Sequence, residues 1–429
     1  MLNHLKSNFI KPLNTLESYL KTDVRYLAKG GFWLTLGSVA SAFISFLSAV
    51  AFANLIPKET YGTYQYILSV SSILAIPTLA GINTAVTQST ARGYDKTILV
   101  GLKKRIQWGI WSLLLASGLA IYYWFNSNNI LAICFLIVGL FIPLSETLGI
   151  YVPYLQGKKN FKTLSLYELG AQSISVGLLI FCIWLNQNLL IILTTFFLSW
   201  LLARLFFLTL TLKKFPPVTE SDPGAISYGK HLTAMTILNT VSSSIDKIIL
   251  WKVLGPIQVA IYTFSLTIPL KAASFVKIIN RLAFPKLATN DLKTIQKTLL
   301  PKILYLILPI TLVTITYIIF TPLIFSFFFP KYLEAVFYAQ VAGLLIIFQP
   351  FALISSALTA QAKKKELYIY NTASPIIKIV LFLLLIPPFQ IIGAIMALVG
   401  SKIIDTIILI FLLKSPTWFS QSNREKISQ

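Results

Sequence analysis

Long apolar runs, separated by short polar stretches, dominate the chain from residue 32 onward. They fall near 32–56, 64–91, 106–125, 129–155, 163–185, 189–212, 228–254, 257–281, 303–328, 335–361, 367–387 and 391–414. A helix crosses the hydrocarbon core of a bilayer in about 20 residues, a length every run reaches. The runs are continuously apolar and do not alternate in segments of about 10 residues, so they predict helices and not a membrane barrel. The expected fold is an all-α membrane protein of about twelve transmembrane helices. Several runs exceed the minimum, which allows tilt or bending, and Pro77, Pro143, Pro153, Pro269, Pro309 and Pro350 are candidate kinks.

Composition supports this pattern, with 56% apolar residues and a mean hydropathy of +0.76. The formal net charge of +22 raises nucleic acid as a partner, but the bases are dealt out connection by connection and form no continuous surface. One set of connections carries Lys6, Lys11, Lys21, Arg25 and Lys29, then Arg92, Lys96, Lys103, Lys104 and Arg105, then Lys158, Lys159 and Lys162. It continues with Lys213, Lys214 and Lys230, with Arg281, Lys286, Lys293 and Lys297, with Lys363 to Lys365, and with Lys414, Arg424 and Lys426. The connections between them are short: PKET, NSNN, NQN, LGPI, PKYLE and PPFQ. The positive-inside rule then puts both termini in the cytoplasm. Residues 1–31 read as a cytoplasmic amphipathic lead-in without the compact apolar core of a cleavable signal, and 415–429 as a cytoplasmic tail. Cys134 and Cys182 lie in apolar runs far from any Cys-x-x-Cys spacing, and His4 and His231 are too few for a metal cluster. No metal or cofactor is expected, and no GxSxG, HExxH or P-loop pattern suggests an enzyme.

The most polar linker, KKFPPVTESDPGAISYGK at 213–230, divides the runs evenly. Leu55 to Tyr64 (LIPKETYGTY) overlays Val253 to Tyr262 (VLGPIQVAIY), 198 residues apart, each in the turn between the first two runs of its half. The expected organisation is an N-lobe at 32–212 with helices 1–6, a cytoplasmic linker at 213–227 and a C-lobe at 228–414 with helices 7–12. Six crossings return the chain to its starting side, so the repeat is parallel, with its axis along the membrane normal.

Charges inside the runs are the candidate chemistry, because an ionisable residue at a helix centre costs roughly 2.5–3.5 kcal/mol on the insertion scale. Asp246 and Lys247 stand side by side in SSSIDKIILWKVLG. They differ by about 100° around a helix, so each needs its own partner. Lys247 can reach outward beside Trp251, a candidate interfacial anchor, whereas the short Asp246 cannot. At about 27 Å from the start of its run, Asp246 suits gating or ion coupling better than phosphate binding. Lys271, Lys378 and Lys402 fall near the midplane and suggest a cationic cavity for phosphate, with Arg92 as a further base. Lys402 and Asp405 are three apart on one face and can pair, structurally or functionally. Glu146 and Asp405 join Asp246 and Lys247 as coupling or gating candidates. Gly81, Thr84, Gln88 and Arg92 form a polar stripe, with Asn83 beside it, fit either for cavity lining or for hydrogen bonding between helices.

The segments GGFWLTLGSV (30–39), LIPKETYGTYQY (55–66), LAGINTAVTQSTARGYDK (79–96), IDKIILWKVLGPIQVAIYTFS (245–265), FPKL (284–287), FFPKYLEAVFYAQ (328–340) and QAKKKELY (361–368) together resemble the polysaccharide-biosynthesis oligosaccharide (O-antigen-type) flippases. These belong to a superfamily that includes lipid II flippases and multidrug exporters. The resemblance implies a multi-pass transporter of the cytoplasmic membrane that moves undecaprenyl-pyrophosphate-linked oligosaccharide outward by alternating access. It also implies a cation-lined passage, coupling to H+ or Na+ or to the membrane potential, and work beside a glycan polymerase and other assembly proteins. Among site residues it carries over only Asp246 and Lys247. Alternatives are a lipid II flippase or drug exporter of the same superfamily, and, from a different class, a membrane-embedded glycan polymerase or glycosyltransferase.

Overall fold

A computed structural model describes residues 24–289, 292–361 and 363–414, so most of the expected lead-in and all of the expected tail lie outside the described residues. Among the described residues every element is helical and no strand occurs. Eight helices are long and apolar enough to cross a membrane, or nine if a bent pair is one span. The protein is a multi-pass membrane protein. Large apolar side chains such as Leu308, Phe125 and Phe411 point outward, as a lipid-facing surface requires.

The first half begins with α1 (Val24–Leu55), α2 (Lys58–Leu74) and α3 (Gly81–Ala91). Between α2 and α3 lies a 3₁₀ turn at Ile76–Thr78 containing Pro77, followed by Leu79 in the left-handed region at φ 59°, and the two helices are bent by 43°. A proline without an N–H and a left-handed residue are what interrupt the helix here. Then come α4 (Thr97–Phe125), α5 (Asn129–Leu148), the short α6 (Tyr151–Gly157), α7 (Phe161–Leu185) and α8 (Leu189–Lys214). The starts of α5, α7 and α8 are capped by Asn128, Asn160 and Asn188, whose side chains accept from the first-turn amides.

The second half contains α9 (Ala225–Ser242), α10 (Ile245–Leu254), α11 (Pro256–Thr289) and α12 (Leu292–Phe328). It continues with α13 (Val336–Gly343), α14 (Ala352–Ala360) and α15 (Lys364–Lys414). The α15 element is two helices joined at Gln390, where φ is 56°, inside the expected PPFQ turn. A Cβ on Gly393 would lie 2.0 Å from the Leu385 carbonyl oxygen, so the two arms fold back tightly on each other.

Three apolar cores show how the halves meet. The largest lies toward the short connections and mixes the halves, with Phe52, Tyr61 and Tyr64 packed among Tyr262, Phe264, Phe329 and Tyr332. Toward the basic connections there are two separate cores, one built from residues 79–208 and the other from 287–413. The halves thus share one core at the short-loop face and keep separate cores at the basic face, where they meet through α3 and α9. Gly62 permits the weld at the short-loop face, since a Cβ there would lie 1.7 Å from the Pro256 carbonyl oxygen. Asn54 donates to the Phe328 carbonyl at 3.0 Å, and Lys58 pairs with Glu334. At the basic face the halves touch through α9, where Gly81 of α3 donates to Thr233 at 3.0 Å. The linker before α9 is strapped to the first half. Asp222 accepts from Ser89 at 2.7 Å and from Arg92 at 2.8 Å, and its amide donates to Thr97 at 3.0 Å.

Candidate functional site

Asp246 sits where a helix restarts. The chain breaks at Ser243 and Ser244, and Asp246 lies in the first turn of α10, so its carboxylate faces the unpaired amides and positive end of a helix. One oxygen accepts from the Lys247 amide at 2.8 Å and the other from the Tyr262 hydroxyl at 2.7 Å. Lys247 finds a different partner, donating to Gln65 of α2 at 3.0 Å. The pair therefore ties the second half together on one side and clasps the two halves on the other. Trp251 does not serve as an interfacial anchor: it stacks on Tyr66 of the first half with ring centroids 4.2 Å apart. The break was invisible to a hydropathy reading, which runs 228–254 together as one span.

The richest polar cluster lies in the first half. Arg105 is fully buried. The expected basic connection extends only to residue 96, because α4 already begins at Thr97 and carries Arg105 inward. Its guanidinium donates to the Thr78 carbonyl at 2.9 Å and to Asn83 at 2.7 Å, spanning the left-handed Leu79 that leads into α3. Its remaining nitrogen, Nη2, is buried without a hydrogen bond and stands 3.9 Å from Glu146. Glu146, in the last turn of α5, accepts instead from Arg204 of α8 at 2.9 Å. Arg204 also donates to the Ser145 carbonyl at 2.8 Å and lies 5.2 Å over the Trp200 ring. Glu168 accepts from the buried Tyr151 hydroxyl at 2.8 Å.

Glu146, Glu168 and Arg204 line a cavity of about 490 Å³ together with Asn83, Thr84, Thr87, Gln88, Gly149, Val152, Pro153 and Gln156. Asn83, Thr84 and Gln88 line the cavity, while Gly81 holds α9 and Arg92 holds the linker. A smaller cavity of about 280 Å³ lies behind, against the α2–α3 break, and Glu146 lines it too.

Other candidates gather in the second half. Lys378, on the first arm of α15, lies 5.5 Å over the Phe382 ring and feels the charges of Asp246, Lys402 and Asp405. Lys402 pairs with Asp405 at 3.2 Å, leaving one Asp405 oxygen buried without a partner. Lys271 is half-buried on α11. Among the described residues no cluster of three or more His, Cys, Asp or Glu could hold a metal ion.

This arrangement of helices is one seen in flippases and multidrug transporters. The lipid II flippase MurJ in an inward closed conformation matches with a TM-score of 0.69 at 16% identity, over 89% of this chain and 88% of that one. A multidrug resistance MATE family transporter of the MOP superfamily, outward-facing, matches at 0.59 and 12%, over 90% and 94% of the two chains. The eukaryotic MATE transporter AtDTX14 matches at 0.62 and 12%, over 94% and 98%. No curated protein sequence is significantly similar. The sequence model of polysaccharide biosynthesis proteins matches residues 27–291, and the chain belongs to that family.

Proposed function

We propose that the protein flips undecaprenyl-pyrophosphate-linked oligosaccharide, of the O-antigen type, from the inner to the outer leaflet of the cytoplasmic membrane by alternating access. Family membership supports a role in polysaccharide assembly, and the flippase fold supports transport over synthesis. The observation that carries the reading is the polar cavity of the first half, set in a molecule whose halves share a core at one face and keep separate cores at the other. Twelve crossings in two six-helix lobes, with both termini cytoplasmic, make the basic face, where the cores are separate, the one that admits substrate once α3 and α9 part. Glycan hydroxyls suit Asn83, Thr84 and Gln88. The pyrophosphate meets Arg204 and the basic residues Lys271, Lys378, Lys402 and Arg92 along the route, the last once it leaves Asp222. Asp246, Lys247, Asp405 and Glu146 serve gating or coupling, to H+, Na+ or the membrane potential. With the cytoplasm negative, outward movement of an anion gains about 2.3 kcal/mol per charge per 100 mV.

Drug export draws on one observation, that two carboxylates line the cavity wall. Glu146 is already matched by Arg204 and Arg105, which leaves Glu168, bonded to the Tyr151 hydroxyl, as the carboxylate open to a cationic drug. Charge-neutralising variants of Arg204, Lys271, Lys378, Lys402 and Asp246, made singly, test the site in cells that depend on the protein for surface glycan. Loss of glycan in the Arg204 variant and in at least one lysine variant supports the assignment, and full glycan in all five overturns it.

A further inference from the structure

We propose that Glu146 is a carboxylate switch between Arg204 and Arg105, and that Arg105 is a positioning residue linking an anion in the cavity to the angle of the α2–α3 break. The anionic ligand rests on the reading under Proposed function. The linkage rests on geometry. Arg105 pins the break itself, through the Thr78 carbonyl at the end of its 3₁₀ turn and the Asn83 side chain of α3, on either side of the left-handed Leu79. It does so from full burial, where an arginine keeps its charge only if its donors and charge are answered. One donor, Nη2, is unanswered and lies 3.9 Å from Glu146. Glu146 has room to answer it, since it lines both the main cavity and the smaller one against the break.

A phosphate-class anion entering the cavity meets Arg204, the guanidinium on its wall, and repels the carboxylate that Arg204 now holds. Glu146 then moves toward the spare Nη2 of Arg105. A full ion pair there draws the guanidinium from Thr78 or Asn83 and frees the break to change its angle. The two sides of the break hold different contacts: α2 carries the Gly62 weld at the short-loop face, and α3 carries the Gly81 contact with α9 at the basic face. A change of angle therefore weakens one closure while keeping the other, as a device that reports occupancy to the gates must do.

Spin labels at the exposed residues Glu59 and Tyr94 mark the two ends of the broken helix, in full-length protein with Cys134 and Cys182 replaced by alanine. Inorganic pyrophosphate is the probe, and binding is measured by calorimetry on the same samples. In the parent protein the label distance is expected to shift as pyrophosphate saturates. Arg105→Lys keeps the charge but not the paired bonds to Thr78 and Asn83, and is expected to bind within about threefold of the parent without the shift. Glu146→Gln is expected to bind roughly tenfold more tightly, again without the shift, because removing one nearby charge is worth about that factor. If Arg105→Lys does not fold, the isosteric Glu146→Gln carries the test alone. A shift that persists in either variant, binding to the parent without a shift, or lost binding in Arg105→Lys overturns the switch and leaves the anion reading intact. No binding to the parent overturns the anion reading and the switch with it.

Discussion

At the scale of the residue, a charge is tolerated in an apolar helix where backbone and neighbours answer it. Asp246 was legible from sequence because an acid interrupts an apolar run, but the reason it is tolerated was not. It lies at a restart of the helix, where free amides meet it, and Tyr262 supplies the second bond. Asp246→Ala leaves the Tyr262 hydroxyl without its acceptor in a buried site and is expected to cost about 1–3 kcal/mol, while Tyr262→Phe costs about 1. Unfolding in detergent measures both, and an Asp246→Ala as stable as the parent contradicts the bond network. Arg105 was missed because it ends the basic run LKKR, which reads as a connection. A signal did exist: Gly101, Arg105, Gly109, Ser112, Ala116 and Ala120 recur at helical spacing and are all buried, a stripe of small residues on which a guanidinium stands out. Asp222 lies in the linker, its carboxyl held below the ordinary 3.8 chiefly by the Ser89 hydroxyl, with Gly224 and Arg92 assisting against desolvation. A lowered folded-state pKa stabilises above the unfolded value and is lost as pH falls through the folded one. The strap is therefore expected to stay docked from neutral pH down to about pH 4 and to loosen below it, whereas Asp222→Asn loosens it at every pH. Proteolysis of 215–224 across pH reads this out, and strap release between pH 5 and 7 in the parent contradicts it.

At the scale of the element, each apolar run of the sequence coincides with helix among the described residues, because a hydrocarbon solvent leaves continuous apolar segments little alternative. The interruptions were less legible. Pro77 and Pro350 fall in 3₁₀ turns and mark real breaks, yet Pro309 lies inside α12. The restart after Ser244 carries no proline, whereas the one after Gly149 falls where Pro153 has no N–H for the Gly149 carbonyl four residues back. These breaks matter because the polar groups collect beside them: Arg105 at the α2–α3 break, Glu146 beside the α5–α6 break, Asp246 at the α9–α10 break. The weld at the short-loop face depends on α2 meeting α11 through Gly62. Gly62→Leu is expected to push them apart and to lower, several-fold, the yield of a thiol cross-link between cysteines placed at Lys58 and Glu334. An unchanged yield contradicts Gly62 as the point of closure.

At the scale of the whole molecule, the length of the apolar spans was readable, because it follows from the bilayer and not from tertiary detail. The arrangement of cores was not: one core shared at the short-loop face and two kept apart at the basic face need contacts far apart in sequence. The proposed alternating access would exchange these two arrangements, parting α3 from α9 at the basic face or α2 from α11 at the other. The most direct measurement is sidedness in proteoliposomes containing the purified protein and a fluorescent lipid-pyrophosphate oligosaccharide loaded into one leaflet. The account predicts protein-dependent transfer of chemically unchanged lipid from the leaflet at the basic face to the opposite one, faster with the basic side negative. No transfer with any lipid-pyrophosphate glycan, or new glycosidic bonds in place of transfer, would contradict it.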